Sequence, residues 1–126
     1  MNYSKLKEKI YNVVCLNPIH MTVEQVLVKV NETKNTVSQA TVYRNLNKLV
    51  EEGRLRKITI HGEPDRFDAN INIHGHFYCN ICKKVYDFEI NDAIIKQIQS
   101  MTEHKIIDSD MIFYGICTEC LGGKND

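Results

Sequence analysis

Two cysteine pairs constrain this chain more than any other feature. Cys79-x-x-Cys82 and Cys117-x-x-Cys120 are separated by 34 residues in a chain of 126. Two residues between cysteines allow a tight turn to aim both sulfurs at one ion, and two such pairs supply the four thiolates of a tetrahedral Zn(II) site. The separation is longer than in a zinc ribbon, so a shared ion must clip together the ends of a larger folded unit. Disulfides or a thioredoxin-type redox pair are the competing readings. The N-terminus, MNYSKLKEKI, lacks the apolar core and cleavage site of a signal peptide, and no run is long enough to cross a membrane. A cytoplasmic protein is expected, and in a reducing compartment CxxC pairs favour metal over disulfide. The fifth cysteine, Cys15, lies in an apolar helical run and reads as a small buried core residue.

The first pair sits inside HGHFYCNICKKVYD, residues 74–87, with two histidines and an aspartate that a zinc–thiolate site leaves unused. On a strand, His74 and His76 point to the same face. Imidazoles with carboxylates suit Fe(II), Mn(II) or Zn(II) better than a thiolate cage does. The pair beside the zinc knuckle is therefore a candidate ligand pair, with Asp87 close behind it. Asp68 and His20 lie upstream, and spacing alone does not recruit them. His61 and His104 read as ordinary surface histidines.

The front of the chain is built differently. Net charge is zero, yet residues 1–62 carry ten Lys/Arg against five Asp/Glu, and residues 63–126 carry six against eleven. A basic front and an acidic back suit a chain that meets a polyanion with one end. Leu6, Ile10, Val13 and Val14 mark a first helix, ended by Asn17-Pro18. Thr22-Val-Glu-Gln25 is a capping-box signature for a second, with Val26, Leu27 and Val30 inward, and Asn31–Val37 is a loop. Ser38 caps a third, with the stripe Val42, Leu46, Leu49 and Val50 and a stop at Gly53. RLRKITIHGEPDRFD then reads as two short strands around His61–Pro64. Three helices and a hairpin are the order of a winged helix-turn-helix, whose third helix enters the major groove of double-stranded DNA. The exposed face of that helix offers Ser38, Gln39, Thr41, Tyr43, Arg44, Asn47 and Lys48, suited to phosphates, base edges and thymine methyls. A solvated polar face would look the same. From His76 onward HFYC and KVYDFEI read as strands, Asp92–Met101 as a helix with Ile94, Ile95, Ile98 and Met101 inward, and Lys105–Cys117 as a strand. The tail Gly122–Asp126 reads as frayed. This second unit is too small to bury much core alone, so a structural zinc and a partner subunit would help it.

ATVYRNLNKLVEEGRL, RFD, HGHFYCNIC, VYDFE and YGICTEC, in that order, resemble the ferric uptake regulator family of metal-dependent repressors, over nearly the whole chain. The resemblance implies an α+β protein: a winged-helix DNA-binding domain over residues 1–70 and a small α/β dimerisation domain over 74–126 with a four-cysteine zinc site. It implies a homodimer on palindromic operators, no membrane partner and no enzymatic activity. Cys79, Cys82, Cys117 and Cys120 would hold the structural zinc. His20, Asp68, His74, His76 and Asp87 would hold a regulatory Fe(II) or Mn(II) between the domains. Aspartate at both 68 and 87 is similar to the peroxide-sensing branch, where iron-sensing members usually have glutamate. In that branch ferrous iron reacts with hydrogen peroxide and a ligand histidine is oxidised, which would make His20 and His74 the oxidation-sensitive residues.

Three features depart from the pattern. The chain starts almost at the first winged-helix segment, where many relatives have an additional N-terminal helix, so operator affinity is expected to be lower or differently achieved. Arg44 follows Tyr43 where peroxide sensors tend to have asparagine and iron sensors arginine. An auxiliary metal site of some relatives should be missing, because Ile73, Gly75 and Ile116 stand where polar ligands would be needed. The alternative within the class is a repressor responding to iron, manganese or zinc without peroxide chemistry. A zinc hydrolase or deaminase is disfavoured by the absence of HExxH and of H-x-E with a following PCxxC. An adaptor that keeps zinc only for structure is the remaining rival.

Overall fold

The computed structural model describes residues 3–17, 20–32, 36–72 and 74–123. It divides into two compact units, Met1–Ile71 and Asn72–Asp126. Among the described residues no helix is long and apolar enough to cross a membrane.

The first unit runs α1 (Tyr3–Leu16), β1 (Met21–Thr22), α2 (Val23–Val30), α3 (Gln39–Glu51), β2 (Arg56–Ile58) and β3 (Arg66–Asp68). Leu6, Ile10 and Val14 of α1 are buried, spaced so that one stripe faces the core. Cys15 is exposed, contrary to its reading as core. It follows Val14, and one helical step of about 100° carries it off the buried stripe. The helix ends at Leu16, where the Asn17 amide donates to the Val13 carbonyl at 2.6 Å; Pro18, given above as part of that stop, lies outside the described residues.

Both arms of the capping box form at α2. The Gln25 N–H donates to Thr22 Oγ1 at 3.3 Å, and the Thr22 N–H donates to Gln25 Oε1 at 2.9 Å. The loop after α2 is closed by one side chain: Asn31 donates to the Val37 carbonyl at 3.0 Å and accepts the Val37 N–H at 2.9 Å. Residues 33–35 of that loop lie outside the described residues. Ser38 caps α3, accepting the Thr41 N–H at 3.2 Å, and Val42, Leu46 and Leu49 are fully buried. Gly53 stops the helix with φ 77°, while the next N–H, of Arg54, returns to the Leu49 carbonyl at 2.9 Å. That left-handed step is where a glycine is needed. The sheet has the order β1-β3-β2, antiparallel throughout, with Phe67 opposite both Met21 and Lys57 and fully buried. Three helices and this small sheet form a winged helix. The strand β1 was not expected, because two residues carry no periodicity of their own.

The second unit runs β4 (Gly75–Cys79), β5 (Val85–Phe88), α4 (Asp92–Gln99), β6 (Met111–Gly115) and α5 (Thr118–Gly123). β4 is central, antiparallel to β5 and parallel to β6. Three expectations are corrected here. The last strand is confined to Met111–Gly115 instead of Lys105–Cys117. Gln99 explains part of the difference: its amide donates to the His104 carbonyl at 2.5 Å and accepts the Ile106 N–H at 2.9 Å, so this backbone bonds to a side chain instead of a sheet neighbour. The apolar side of α4 is not inward in this chain; Ile94 and Met101 are exposed and Ile95 and Ile98 only half-buried. Finally, the second cysteine pair leads into a short helix, α5, where a frayed tail was expected from Gly122; residues 124–126 lie outside the described residues.

Candidate functional site

The four cysteines meet in the second unit. Cys79 ends β4, Cys82 closes the tight turn toward β5, Cys117 follows β6 and Cys120 lies in α5. Their ligand atoms all lie within 4.8 Å of one another, with Cys79–Cys120 and Cys82–Cys117 sulfurs both 3.7 Å apart. A tetrahedron with zinc–sulfur bonds of about 2.3 Å has edges of roughly 3.8 Å. The donor set and its spacing therefore fit Zn(II).

Backbone N–H groups support the sulfurs. Those of Cys82 and Cys117 each point at Cys79 Sγ at 3.4 Å. The knuckle is held by the Lys83 N–H to the Cys79 carbonyl at 2.9 Å and the Cys79 N–H to the Lys84 carbonyl at 3.0 Å. Burial pushes the Cys79 thiol up, but N–H groups of Cys117, Cys82 and Ile81, with the Cys82 thiol, overcome it and bring Cys79 down to about 5. Cys117 is lowered chiefly by the neighbouring Tyr86 phenol and by the Cys120 N–H. Cys120 is pushed up to about 12 by burial and by the neighbouring sulfurs. Two sulfurs favour the thiolate and one resists it, because like charges in a crowded tetrad repel. Tyr86 escaped the sequence reading; only the register that sets it opposite Phe77 on β4 could have placed it.

The histidines and aspartates form a pair in one unit and a trio in the other. In the first, His20 Nε2 is 3.4 Å from Asp68 Oδ2, both groups largely buried. The register Met21↔Phe67 brings them together, because His20 precedes β1 and Asp68 ends β3. Asp68 Oδ1 accepts the Asn70 N–H at 2.9 Å, and Arg66 holds the loop by donating to the His20 carbonyl at 3.2 Å. In the second, His76 sits opposite Asp87 across β4 and β5, and His74 Nε2 and His76 Nε2 lie 3.5 and 3.6 Å from Asp87 Oδ1. The two rings are 4.4 Å apart, so they do share a face. His74 Nδ1 lies 2.7 Å from the Asn72 carbonyl, which only accepts; Nδ1 therefore carries the proton, and in the neutral ring Nε2 keeps its lone pair. Two nitrogen or oxygen ligands of one ion at about 2.1 Å stand roughly 3.0–3.4 Å apart, close to these spacings. Both groups thus offer donors suited to Fe(II), Mn(II) or Zn(II). Gly75 and Ile116 bring no ligand atom for an auxiliary site, and Ile73 lies outside the described residues.

On α3, Gln39, Tyr43, Arg44 and Lys48 are exposed, with Thr41 and Asn47 half-buried. Ser38 donates to Thr41 Oγ1 at 2.9 Å, and Arg44 Nη2 donates to the same oxygen at 3.2 Å. The cap, the threonine and the arginine form one short chain on the outer face. Lys57 of β2, passed over in the sequence, stands with its ammonium 5.6 Å from the centre of the Tyr43 ring.

Comparison with known proteins agrees with this arrangement. Residues 1–114 match the model of the ferric uptake regulator family. The peroxide-responsive repressor PerR of Staphylococcus aureus is 30% identical over 103 residues, covering 80% of this chain and 70% of that one. The Helicobacter pylori ferric uptake regulator Fur superposes with a TM-score of 0.82 at 24% identity, over 96% of this chain and 82% of that one. The Campylobacter jejuni peroxide stress regulator does so with 0.80 at 20% identity, over 94% and 90%. With the family model running through the winged helix and on to β6, the chain belongs to the ferric uptake regulator family, whose members are transcription regulators and not enzymes.

Proposed function

We propose that this metal-responsive regulator is a repressor that senses peroxide, binding double-stranded operator DNA as a homodimer and releasing it once a ligand histidine is oxidised. The observation that carries the reading is the ligand set: His20 with Asp68, and His74 and His76 with Asp87, aspartates at both carboxylate positions. The 30% identity to a peroxide-responsive repressor supports the same branch.

His20, Asp68, His74, His76 and Asp87 are assigned to the regulatory metal, Fe(II) or Mn(II), and Cys79, Cys82, Cys117 and Cys120 to a structural Zn(II). Bound ferrous iron supplies the capacity to cleave peroxide. The protein supplies the ligand imidazoles, of which His20 and His74 are the oxidation-sensitive ones by resemblance to the peroxide-sensing branch. One peroxide oxygen ends on the imidazole and the other leaves as water. The oxidised ring is a poorer ligand, and loss of the ion withdraws its bias toward the DNA-binding conformer.

The homodimer is supported by what the second unit leaves uncovered: Phe88 and Phe113, with rings 4.7 Å apart, and Ile94, Met101 and Ile107 are all exposed. Exposed apolar side chains in contact, as Phe88 and Phe113 are, mark an interaction surface. Ser38, Gln39, Thr41, Tyr43, Arg44 and Asn47 meet the DNA, Arg44 as a donor to guanine or phosphate.

The test is mass spectrometry of protein loaded anaerobically with Fe(II) and given a slight excess of hydrogen peroxide, with Mn(II) as control. One added oxygen on His20 or His74, with iron only and with release from DNA, is expected. Metal-dependent DNA binding without histidine oxidation would instead establish a plain iron-, manganese- or zinc-responsive repressor. Arg44 would then be the better guide to its branch.

A further inference from the structure

Lys57 occupies a place where the fold would accept an apolar side chain. It pairs with Phe67 across β2 and β3, and paired residues of a sheet share a face. Phe67 is fully buried on that face, yet Lys57 is there too, with 29% of its side chain exposed. Its ammonium is 6.0 Å from the centre of the Phe67 ring. The nitrogen then emerges over Tyr43 of α3, 5.6 Å from the ring centre, with Asp65 Oδ2 3.9 Å away as its ion partner. The side chain buries its methylenes and delivers a charge to the edge of the core. That edge is the seam between the wing and the helix that carries Arg44.

We propose that Lys57 is a DNA-backbone contact at this seam: its ammonium takes a phosphate and, lying over Tyr43, fixes that ring for the groove. The inference rests on the reading of this protein as a DNA-binding repressor and adds a residue of the wing to it. The 3.9 Å spacing to Asp65 is beyond hydrogen-bond length, so little is lost when a phosphate replaces that partner. A lysine suits the task because it binds phosphate as a point charge and needs no fixed fork.

The test is the salt dependence of binding. A duplex is first selected from a random pool by the Mn(II)-loaded protein, and its affinity is measured by anisotropy from low to moderate salt. Each phosphate neutralised contributes about 0.9 to the slope of log K against log salt. Lys57→Met should lower the magnitude of that slope by about 0.9 per protomer and weaken binding alike on the selected duplex and on a scrambled one. Lys57→Arg should restore the slope, and Tyr43→Leu should change preference among duplexes while leaving the slope in place. An unchanged slope for Lys57→Met, in protein that melts as the parent does, overturns the proposal even if affinity falls, because a purely structural lysine would leave the ion count alone. If the parent protein selects no duplex with any of Mn(II), Fe(II) or Zn(II), the repressor reading itself fails and takes this inference with it.

Discussion

Lys83 holds a φ of 66° in the turn between the two cysteines and β5, the only non-glycine residue with positive φ among those described. The turn around it is fixed by hydrogen bonds of 2.9 and 3.0 Å between Cys79, Lys83 and Lys84, so the residue cannot relax without opening the knuckle. Left-handed backbone costs a residue with a Cβ about 1–2 kcal/mol. Glycine escapes that cost but loses about 0.5–1 kcal/mol more chain entropy on folding. Lys83 also lies 6.0 Å from the Tyr78 ring, the outer limit of a cation–π contact. Comparing Lys83→Gly with Lys83→Ala removes that contact from both sides. The Lys83→Gly protein should then be the more stable of the two by about 0.5–1 kcal/mol. In ordinary helix or strand positions the order is the reverse, so the sign alone decides. Urea unfolding of protein carrying one Zn(II) per chain, followed by metal release to a chromophoric chelator, reports the four-cysteine site of the second unit. With a slope of about 1–3 kcal/mol per molar, the midpoints should differ by a few tenths of a molar. An equal or higher midpoint for Lys83→Ala would refute a left-handed knuckle.

Three further outcomes are expected. Phe67→Ala should cost the first unit about 3–5 kcal/mol, since the ring is fully buried where β1 and β2 both pair with β3; a loss under about 1 kcal/mol in chemical denaturation would contradict the packing. Thr22→Ala should cost about 1 kcal/mol by removing the arm of the capping box that Thr22 Oγ1 accepts from the Gln25 N–H. Gln25→Ala removes the arm donated by the Thr22 N–H; the double variant should lose less than the sum of the two single losses, and fully additive losses would mean the arms are independent. Glu8 accepts two hydrogen bonds from Arg54, at 2.6 and 2.7 Å, which hold its carboxyl below the ordinary range. A lowered folded-state value gives stability above that range, lost as pH falls through it. The melting temperatures of the parent and Glu8→Gln should therefore differ slightly at neutral pH and converge as pH falls below the ordinary carboxylate range; a gap that widens on acidification would reverse the sign.

Local chemistry was legible in the sequence, and pairing was not. Thr22–Gln25, Ser38 and Gly53 mark helix ends through contacts within five residues, so their signals survive without knowledge of the fold. The cysteine tetrad was legible because CxxC spacing is itself a geometric statement. The extent of β6 was not, because Gln99 competes for backbone that the apolar pattern assigns to a strand. Nor was the burial of α4, whose periodicity is real but whose apolar side is exposed or only half-buried among the described residues. The histidine–aspartate pairs show the same division more sharply. His20 and Asp68 are 48 positions apart and meet only because Met21 pairs with Phe67; His76 and Asp87 meet because they are direct partners across β4 and β5. Side chains alternate along a strand, so a slip of one residue would turn each imidazole from its carboxylate to the opposite face. The buried Phe67 resists that slip in the first sheet, and in the second the cysteines at the end of β4 do. Each half of the proposed ligand set is thus specified by residues outside that set. A substitution that shifts strand register should accordingly lower metal affinity more than the loss of one carboxylate.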